Sequence, residues 1–408
     1  MANFSGKPPE PLCTAGFSAY LHSHSAIDSW LGREGGPGIQ ILTNADPADM
    51  ARLFEDLRYP GAGLADAALD DKDRTWYFHC ADSIKDNHPS FNLLEFYQDC
   101  KSRTFYDPHG VYPLLAGIRR GIQNRTAQAV NVDTLEIFRE GLNPNSERIR
   151  ALTDAALIQA KYFPTLQGSE DSEAERRIRE IEGLLRDLRE GAAPGKEEQR
   201  FLLCALMASP NPELGLEFLK TSGFIGEFWP ELAILDRADH AKEFHPEGNA
   251  WKHTMETFRH RKGAPDLRLS LGLLLHDTGK PISVSAGSRR FDGHAELGEA
   301  QARRFLERLG FSASLTTDVC FLVRNHMLPA ALPRLPLFRT AEKMSSPLFP
   351  ILMELYRCDE SSSFKGLDGY YESSAAYQAF LRNRRNPYRS EDGKKLNQKR
   401  LNGAIIVR

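Results

Sequence analysis

From position 271 the chain runs Leu-Gly-Leu-Leu-Leu, then places His276 and Asp277 directly after this apolar stretch and continues as Thr-Gly-Lys at 278–280. A run of that kind belongs on a buried helix, so the polar pair at its end is expected to be buried too. An imidazole and a carboxylate in an apolar setting are costly unless something pairs them, and a metal ion does this well. This part of the chain must therefore bring further polar groups, or a cation, to His276 and Asp277.

The groups needed lie in the same third of the sequence. His253 sits in Trp-Lys-His-Thr, His294 in Gly-His-Ala-Glu, His326 in Arg-Asn-His-Met and Asp359 in Tyr-Arg-Cys-Asp. Seven of the twelve histidines fall between positions 240 and 326. One histidine on an apolar face is more often a satisfied core residue than a ligand. The ordered set of His, His-Asp, His, His and Asp favours a metal site. Mixed imidazole and carboxylate donors suit Mn, Fe, Ni, Co or Zn better than Ca or Mg. His253, His276, Asp277 and Asp359 can hold one ion, and Asp277 can bridge to a second held by His294 and His326. One or two divalent transition-metal ions are thus expected.

In metal-dependent phosphohydrolysis the ion lowers the pKa of bound water and neutralises charge on phosphoryl oxygens. Asp277 and Lys280 are the catalytic candidates, because Lys280 follows the His-Asp pair by one helical turn and can meet a substrate phosphate. His245, Lys280 and Arg324 are the candidate substrate-binding residues.

The remaining composition is that of an ordinary soluble protein. A net charge of −3 gives no global attraction to nucleic acid or membrane. The six cysteines form no C-x-x-C pair, and no apolar run is long enough for a membrane span. With no signal peptide evident at the N-terminus, a cytoplasmic protein with reduced thiols and no membrane partner is expected.

Residues 1–15 read as an irregular leader, and β-like runs at 39–42, 75–79 and 91–97 mix with a helix over 47–57 that Asn44 or Asp46 can cap. His22 and His24 read as a chance surface pair, and Tyr370, Tyr371 and Tyr377 as packing aromatics. A charged stretch at 172–189 carries an apolar stripe at helical spacing, and from 197 to about 380 the pattern is helical. The tail is basic, with Arg382, Arg384, Arg385, Arg389, Lys394, Lys395, Lys399 and Arg400, and can contact RNA phosphates.

The segments at 245–254, 274–281 and 291–298 carry the signature of the HD phosphohydrolase superfamily, and more narrowly resemble the HD domain of some bacterial tRNA nucleotidyltransferases, the CCA-adding enzymes. Glu-Leu-Gly-Leu-Glu-Phe-Leu-Lys-Thr-Ser-Gly at 213–223 and Phe-Trp-Pro-Glu-Leu at 228–232 resemble the helical linker of the same proteins. The resemblance implies an α+β chain. It would have a small mixed α/β nucleotidyltransferase-like head (1–125), an all-α linker (126–240), an all-α HD domain (241–380) and the basic tail (381–408).

The head is similar to the family but lacks its active-site residues. The segment at 19–33 lines up with the family's Gly-Gly-x-Val-Arg-Asp turn, yet carries Ser23 and His24 for the glycines and Ile27 for the arginine, keeping only Asp28. Glycines there let backbone amides approach a triphosphate, and side chains crowd it. The Asp-x-Asp that binds two Mg ions aligns with Gly-Ile-Gln-Ile-Leu-Thr at 38–43, which has no carboxylate. The Arg-Arg-Asp-Phe motif aligns with His-Pro-Ser-Phe at 88–91, and the Glu-Asp-x-x-Arg helix has no counterpart near 130–145.

The expected function is therefore a metal-dependent phosphohydrolase acting on nucleotides or RNA ends, with an inactive head that can still bind RNA. The resemblance implies 2′,3′-cyclic phosphates and small phosphoesters as substrates. The alternatives are a tRNA nucleotidyltransferase or poly(A) polymerase-type enzyme and a non-catalytic RNA-binding protein.

Overall fold

The computed structural model describes residues 8–30, 32, 38–59, 65–71, 74–80, 97–106, 153, 156–157, 159–161, 194–238, 248–262, 266–285, 291–363, 366–385, 390 and 394. The chain forms two compact units, Met1–Trp229 and Pro230–Arg408. The first holds a mixed sheet and the second is helical among its described residues, as the α+β expectation requires.

In the first unit, strands β1 (Ala19–His22), β2 (Gly38–Thr43), β3 (Ala67–Asp71), β4 (Arg74–Cys80), β5 (Tyr97–Asp99) and β6 (Phe105–Tyr106) form one sheet in the order β3-β4-β2-β1-β5-β6. Only β2 and β4 run parallel; the other pairs are antiparallel. All residues of β2 are buried, as befits a central strand covered on both faces. Ile39 and Ile41 join Leu21, Trp76 and Phe78 in a core on one face. Gln40 belongs to the other face, where its side-chain oxygen lies 2.6 Å from His79 Nε2. Helix Lys196–Met207 covers that face, packing Phe201 against Tyr77 with ring centroids 4.9 Å apart and the rings tilted by 60°. A Cβ on Gly38 would lie 1.9 Å from the Phe201 ring, so any larger residue there would require that ring to shift.

Several local expectations change. The leader contains a helix, α1 (Pro9–Thr14), because Leu12 is fully buried in the sheet core. Helix α3 (Pro47–Leu53) is capped by Asp46, whose carboxylate accepts the Asp49 N–H at 2.7 Å. Asn44 instead accepts the Ser18 N–H. The helix stops before 57 because Phe54 turns extended and packs into the core. His22 and His24 are not a surface pair. His22 lies on β1 between β2 and β5, His24 lies on α2 (Ser23–Trp30), and both are buried. Of the tyrosines, Tyr377 packs on Phe349 at 4.7 Å, whereas Tyr371 is 62% exposed. The readings at 88–96, 130–145 and 172–189, and the basic tail apart from Arg382, Arg384, Arg385 and Lys394, lie outside the described residues. Among the described residues no helix is long and apolar enough to cross a membrane.

The second unit begins with the short helix Pro230–Ala233 and the 3-10 turn Ile234–Arg237. Five longer helices then build the site: α4 (Ala250–Arg259), α5 (Leu267–Leu275), α6 (His294–Arg308), α7 (Ala313–Asn325) and α8 (Phe349–Ser361). Helix α5 is the central one. Leu271, Leu273, Leu274 and Leu275 are fully buried, and Asp266 caps its start by accepting the Arg268 N–H at 2.7 Å. At roughly 2 kcal/mol for each such side chain, this burial anchors the helix that presents the His-Asp pair.

Candidate metal centre

Helix α5 ends on His276, and the chain turns through Asp277, Thr278 and Gly279 before the short helix Lys280–Ser285. The Thr278 hydroxyl donates to the Leu275 carbonyl at 2.7 Å and the Lys280 N–H donates to the Asp277 carbonyl at 2.9 Å. Those bonds close the turn and aim both side chains inward. Gly279 is required by close approach: a Cβ there would lie 1.9 Å from the His294 carbonyl oxygen and 2.5 Å from the Gly298 nitrogen. The missing side chain lets the first turn of α6 bring His294 against the His-Asp turn.

The other members come from separate helices. His253 lies on α4, which Asn249 caps by accepting the Lys252 N–H at 3.0 Å. His326 caps the C-terminal end of α7 and Asp359 lies on α8. The structure brings all six predicted metal-site residues together. Around Asp277 Oδ2, His276 Nε2 lies at 3.3 Å and His253 Nε2 at 3.8 Å. Around Oδ1, His294 Nε2 lies at 3.9 Å and His326 Nε2 at 4.0 Å. Asp359 Oδ1 is 2.9 Å from His253 Nε2 and 4.0 Å from His276 Nε2. Donor atoms of His253, His276 and Asp277 fall within 4.8 Å of one another, as do those of Asp277, His294 and His326. Asp277 belongs to both groups.

The hydrogen bonds select one tautomer for every imidazole. Nδ1–H of His276, His294 and His326 faces the carbonyl of Leu273, Phe291 or Val323 at 2.8, 2.7 and 2.7 Å. His253 Nδ1 faces the Ser362 oxygen at 3.2 Å; that hydroxyl donates to the Asp359 carbonyl at 2.6 Å, so it accepts from the imidazole. Each Nε2 therefore carries its lone pair into the cluster. His276 Nε2 is buried without a hydrogen-bond partner among the described residues. His294 and His326 Nε2 meet at 3.0 Å, a contact that needs a proton or a cation between them. Carbonyl-anchored imidazoles and shared carboxylates are the support a bound metal requires, so the residues fit the ion.

Electrostatics agree with that fit. Burial raises the Asp277 carboxyl, but His276 and Lys280 outweigh it and hold the group well below the usual carboxylate range. Burial likewise opposes ionisation of Asp359, and His253, 2.9 Å from its Oδ1, outweighs burial and keeps it below that range. Burial pushes His326 down to about 4, assisted by His276, and lowers His294 as well. Ionised Asp277 and Asp359 and neutral His294 and His326 are in the forms a metal binds.

Lys280 lies 2.7 Å from Asp277 Oδ2, so its ammonium already supplies positive charge at the shared carboxylate. Arg324 pairs with Glu296 at 2.5 Å and with Glu299 at 3.9 Å, on the face of α6. His245 lies outside the described residues. The sequence reading missed Ser362, which orients His253, and Phe291, which orients His294. Ser362 follows Asp359 by three residues, so helical spacing places both near His253.

The sequence profile of the HD domain matches residues 251–353, a span that includes every member of the cluster except Asp359. A CC-adding tRNA nucleotidyltransferase of Thermus thermophilus is 36% identical over 144 residues, covering 33% of this chain and 32% of the relative. A multifunctional CCA protein of Halorhodospira halophila is 30% identical over 122 residues, covering 30% and 29%. The chain thus spans about a third of the length of these curated relatives. A solved structure described as a tRNA-processing enzyme aligns with 97% of this chain and 93% of its own, at 14% identity and a TM-score of 0.45. The chain contains an HD domain. It is homologous over part of its length to CCA-adding tRNA nucleotidyltransferases.

Proposed function

We propose that this chain is an RNA-processing enzyme related to tRNA nucleotidyltransferases, whose HD centre hydrolyses phosphoesters of nucleotides or RNA ends. The observation that carries this reading is the convergence of the four Nε2 lone pairs with Asp277 and Asp359. A transition-metal ion held there supplies Lewis acidity and a lowered water pKa. His253, His276, Asp277 and Asp359 would hold one ion, and Asp277, His294 and His326 would hold a second. Lys280 neutralises a phosphoryl oxygen. Asp277→Ala should lower hydrolysis of bis-p-nitrophenyl phosphate or 2′,3′-cAMP with Mn, Ni or Co by at least about 100-fold, since losing a ligand weakens metal affinity and water activation together. Full activity in that variant, or none in the wild type with any of these metals, would reject the assignment.

A second reading, nucleotidyl transfer by the head, is favoured by what the relatives are named for. Two features of the head weigh against it. Strand β2 offers no carboxylate. Asp28, which aligns with the family's acid, is bound to Lys161 at 2.6 Å. We therefore infer a non-catalytic head that can serve as an RNA-binding scaffold. With ATP, CTP, Mg and a tRNA lacking its 3′ end, the protein should add no nucleotide. Extension of the RNA would put the second reading first.

A further inference from the structure

Phe291 is one of two described non-glycine residues with positive φ, at +57°. Bulky side chains avoid this left-handed region because Cβ crowds the backbone, and such strain persists only where the surroundings hold it. The surroundings of Phe291 do so from both ends. Its carbonyl accepts Nδ1–H of His294 at 2.7 Å and the His294 backbone N–H at 3.1 Å. Its ring lies under the Lys280 ammonium, 5.5 Å from centroid to Nζ. The next carbonyl, of Asp292, accepts the Ser283 hydroxyl at 2.9 Å and ties the segment to the helix that begins at Lys280.

These contacts meet at one carboxylate. Lys280 Nζ lies against Asp277 Oδ2, and His294 Nε2 faces Asp277 Oδ1. A single residue therefore holds a group on each side of Asp277. Glycine would satisfy the backbone at 291 without strain and would keep the carbonyl. What phenylalanine adds is the aromatic face, and an aromatic face attracts and orients an ammonium.

We propose that Phe291 is a positioning residue with two separable functions: its carbonyl fixes His294, and its ring fixes Lys280 where a phosphoryl oxygen of the substrate would lie. The second function rests on the phosphohydrolase reading for what Lys280 does, but not for where the ring holds it.

The test is calorimetric titration of Mn, and then of inorganic phosphate into the Mn-loaded full-length protein, with thermal melts alongside. Phe291→Gly should keep wild-type Mn stoichiometry and melt no lower than wild type, while phosphate affinity falls about three- to tenfold. Phe291→Leu, which keeps bulk and strain but loses the aromatic face, should show the same fall. Phe291→Tyr should restore phosphate affinity to within about twofold of wild type. Wild-type phosphate affinity in the Gly or Leu variant would overturn the role of the ring. Mn loss in Phe291→Gly as large as in His294→Ala would overturn the separation of ring and carbonyl. A wild type that binds Mn and phosphate but turns over no phosphoester would sink the hydrolase reading alone, and the phosphate affinities of the variants would still decide this proposal.

Discussion

Three buried or nearly buried polar pairs of the head and the His/Asp cluster of the HD domain are arranged in opposite ways. In the head, His79 meets Gln40, the Gln40 N–H meets Ser25, and Asp28 meets Lys161. Each is a donor set against an acceptor. In the HD domain, backbone carbonyls and Ser362 take up the Nδ1 protons, so that lone pairs are aimed at other lone pairs and at carboxylates. Burying acceptor against acceptor is unfavourable unless a cation arrives, so the second arrangement makes sense for a centre that binds one. A donor set against an acceptor needs no ligand; converging acceptors call for a cation.

The comparison breaks most visibly at the two aspartates. Asp28→Ala leaves Lys161 nearly buried without its carboxylate, since the paired side chains are 5% and 12% exposed. Loss of about 3 kcal/mol in unfolding free energy is expected, with no change in metal content or hydrolysis. Reduced metal content in this variant would show that the head is no passive scaffold. Metal removal should have the converse effect. At a free ion concentration of 100 times Kd, binding to the folded state alone stabilises by about 2.7 kcal/mol, so chelation should lower the melting temperature by that equivalent. In Asp277→Ala the melting temperature should no longer respond to the ion. An equal response in that variant would place the metal elsewhere.

Gly279→Ala sharpens the comparison within the HD domain. The new Cβ would collide with backbone of α6 rather than with a flexible side chain. Overpacking of this kind costs about 1–3 kcal/mol. The displaced element carries His294 but neither His253 nor Asp359. The variant should therefore lose the ion shared by His294 and His326 and retain the other, measured as metal equivalents per chain. Retention of two ions would mean that α6 yields without moving its histidine.

What could be read in the sequence follows the same division. The apolar run at 271–275 and the histidines beyond it specify the centre, because burial and ligand chemistry are properties of single residues and their spacing. The sheet was legible where β2 and β4 carry short runs rich in β-branched and aromatic residues, at 39–42 and 75–79, and the lack of carboxylates at 38–43 needed only the letters. The helix at Pro9–Thr14 was hidden because three prolines nearby resemble a leader, while its anchor is one residue, Leu12, whose partners lie on distant strands. Phe291 was hidden for a different reason. Its importance lies in a backbone angle, a carbonyl and the placement of its ring beside Lys280, and residue type alone reveals none of the three. The burial of His22 depends on β1 being an interior strand, which only pairing with β5 reveals, and that of His24 on the helix that follows directly from it.

The smallest effect tests whether the head's charges act only on stability. Arg58 binds Asp70 through Nε at 2.7 Å and Nη2 at 3.1 Å, and also pairs with Glu197 on the helix that covers the sheet. The Arg58 hydrogen bond, against partial burial and assisted by Thr75, holds the Asp70 carboxyl below its ordinary value. A folded-state pKa below the unfolded one gives stability that is fully present above the unfolded value near 3.8 and is lost as pH falls through the lowered folded value. The Arg58 and Asp70 side chains are 34% and 59% exposed, so solvent screens the pair and limits its contribution to under about 1 kcal/mol. Asp70→Asn should therefore melt slightly below wild type at pH 7, and the gap should close, not widen, as pH drops below about 4. Hydrolysis at neutral pH should be unchanged. A gap that widens in acid would reverse the sign of the shift, and a loss of hydrolysis would tie the head's charges to chemistry in the HD domain.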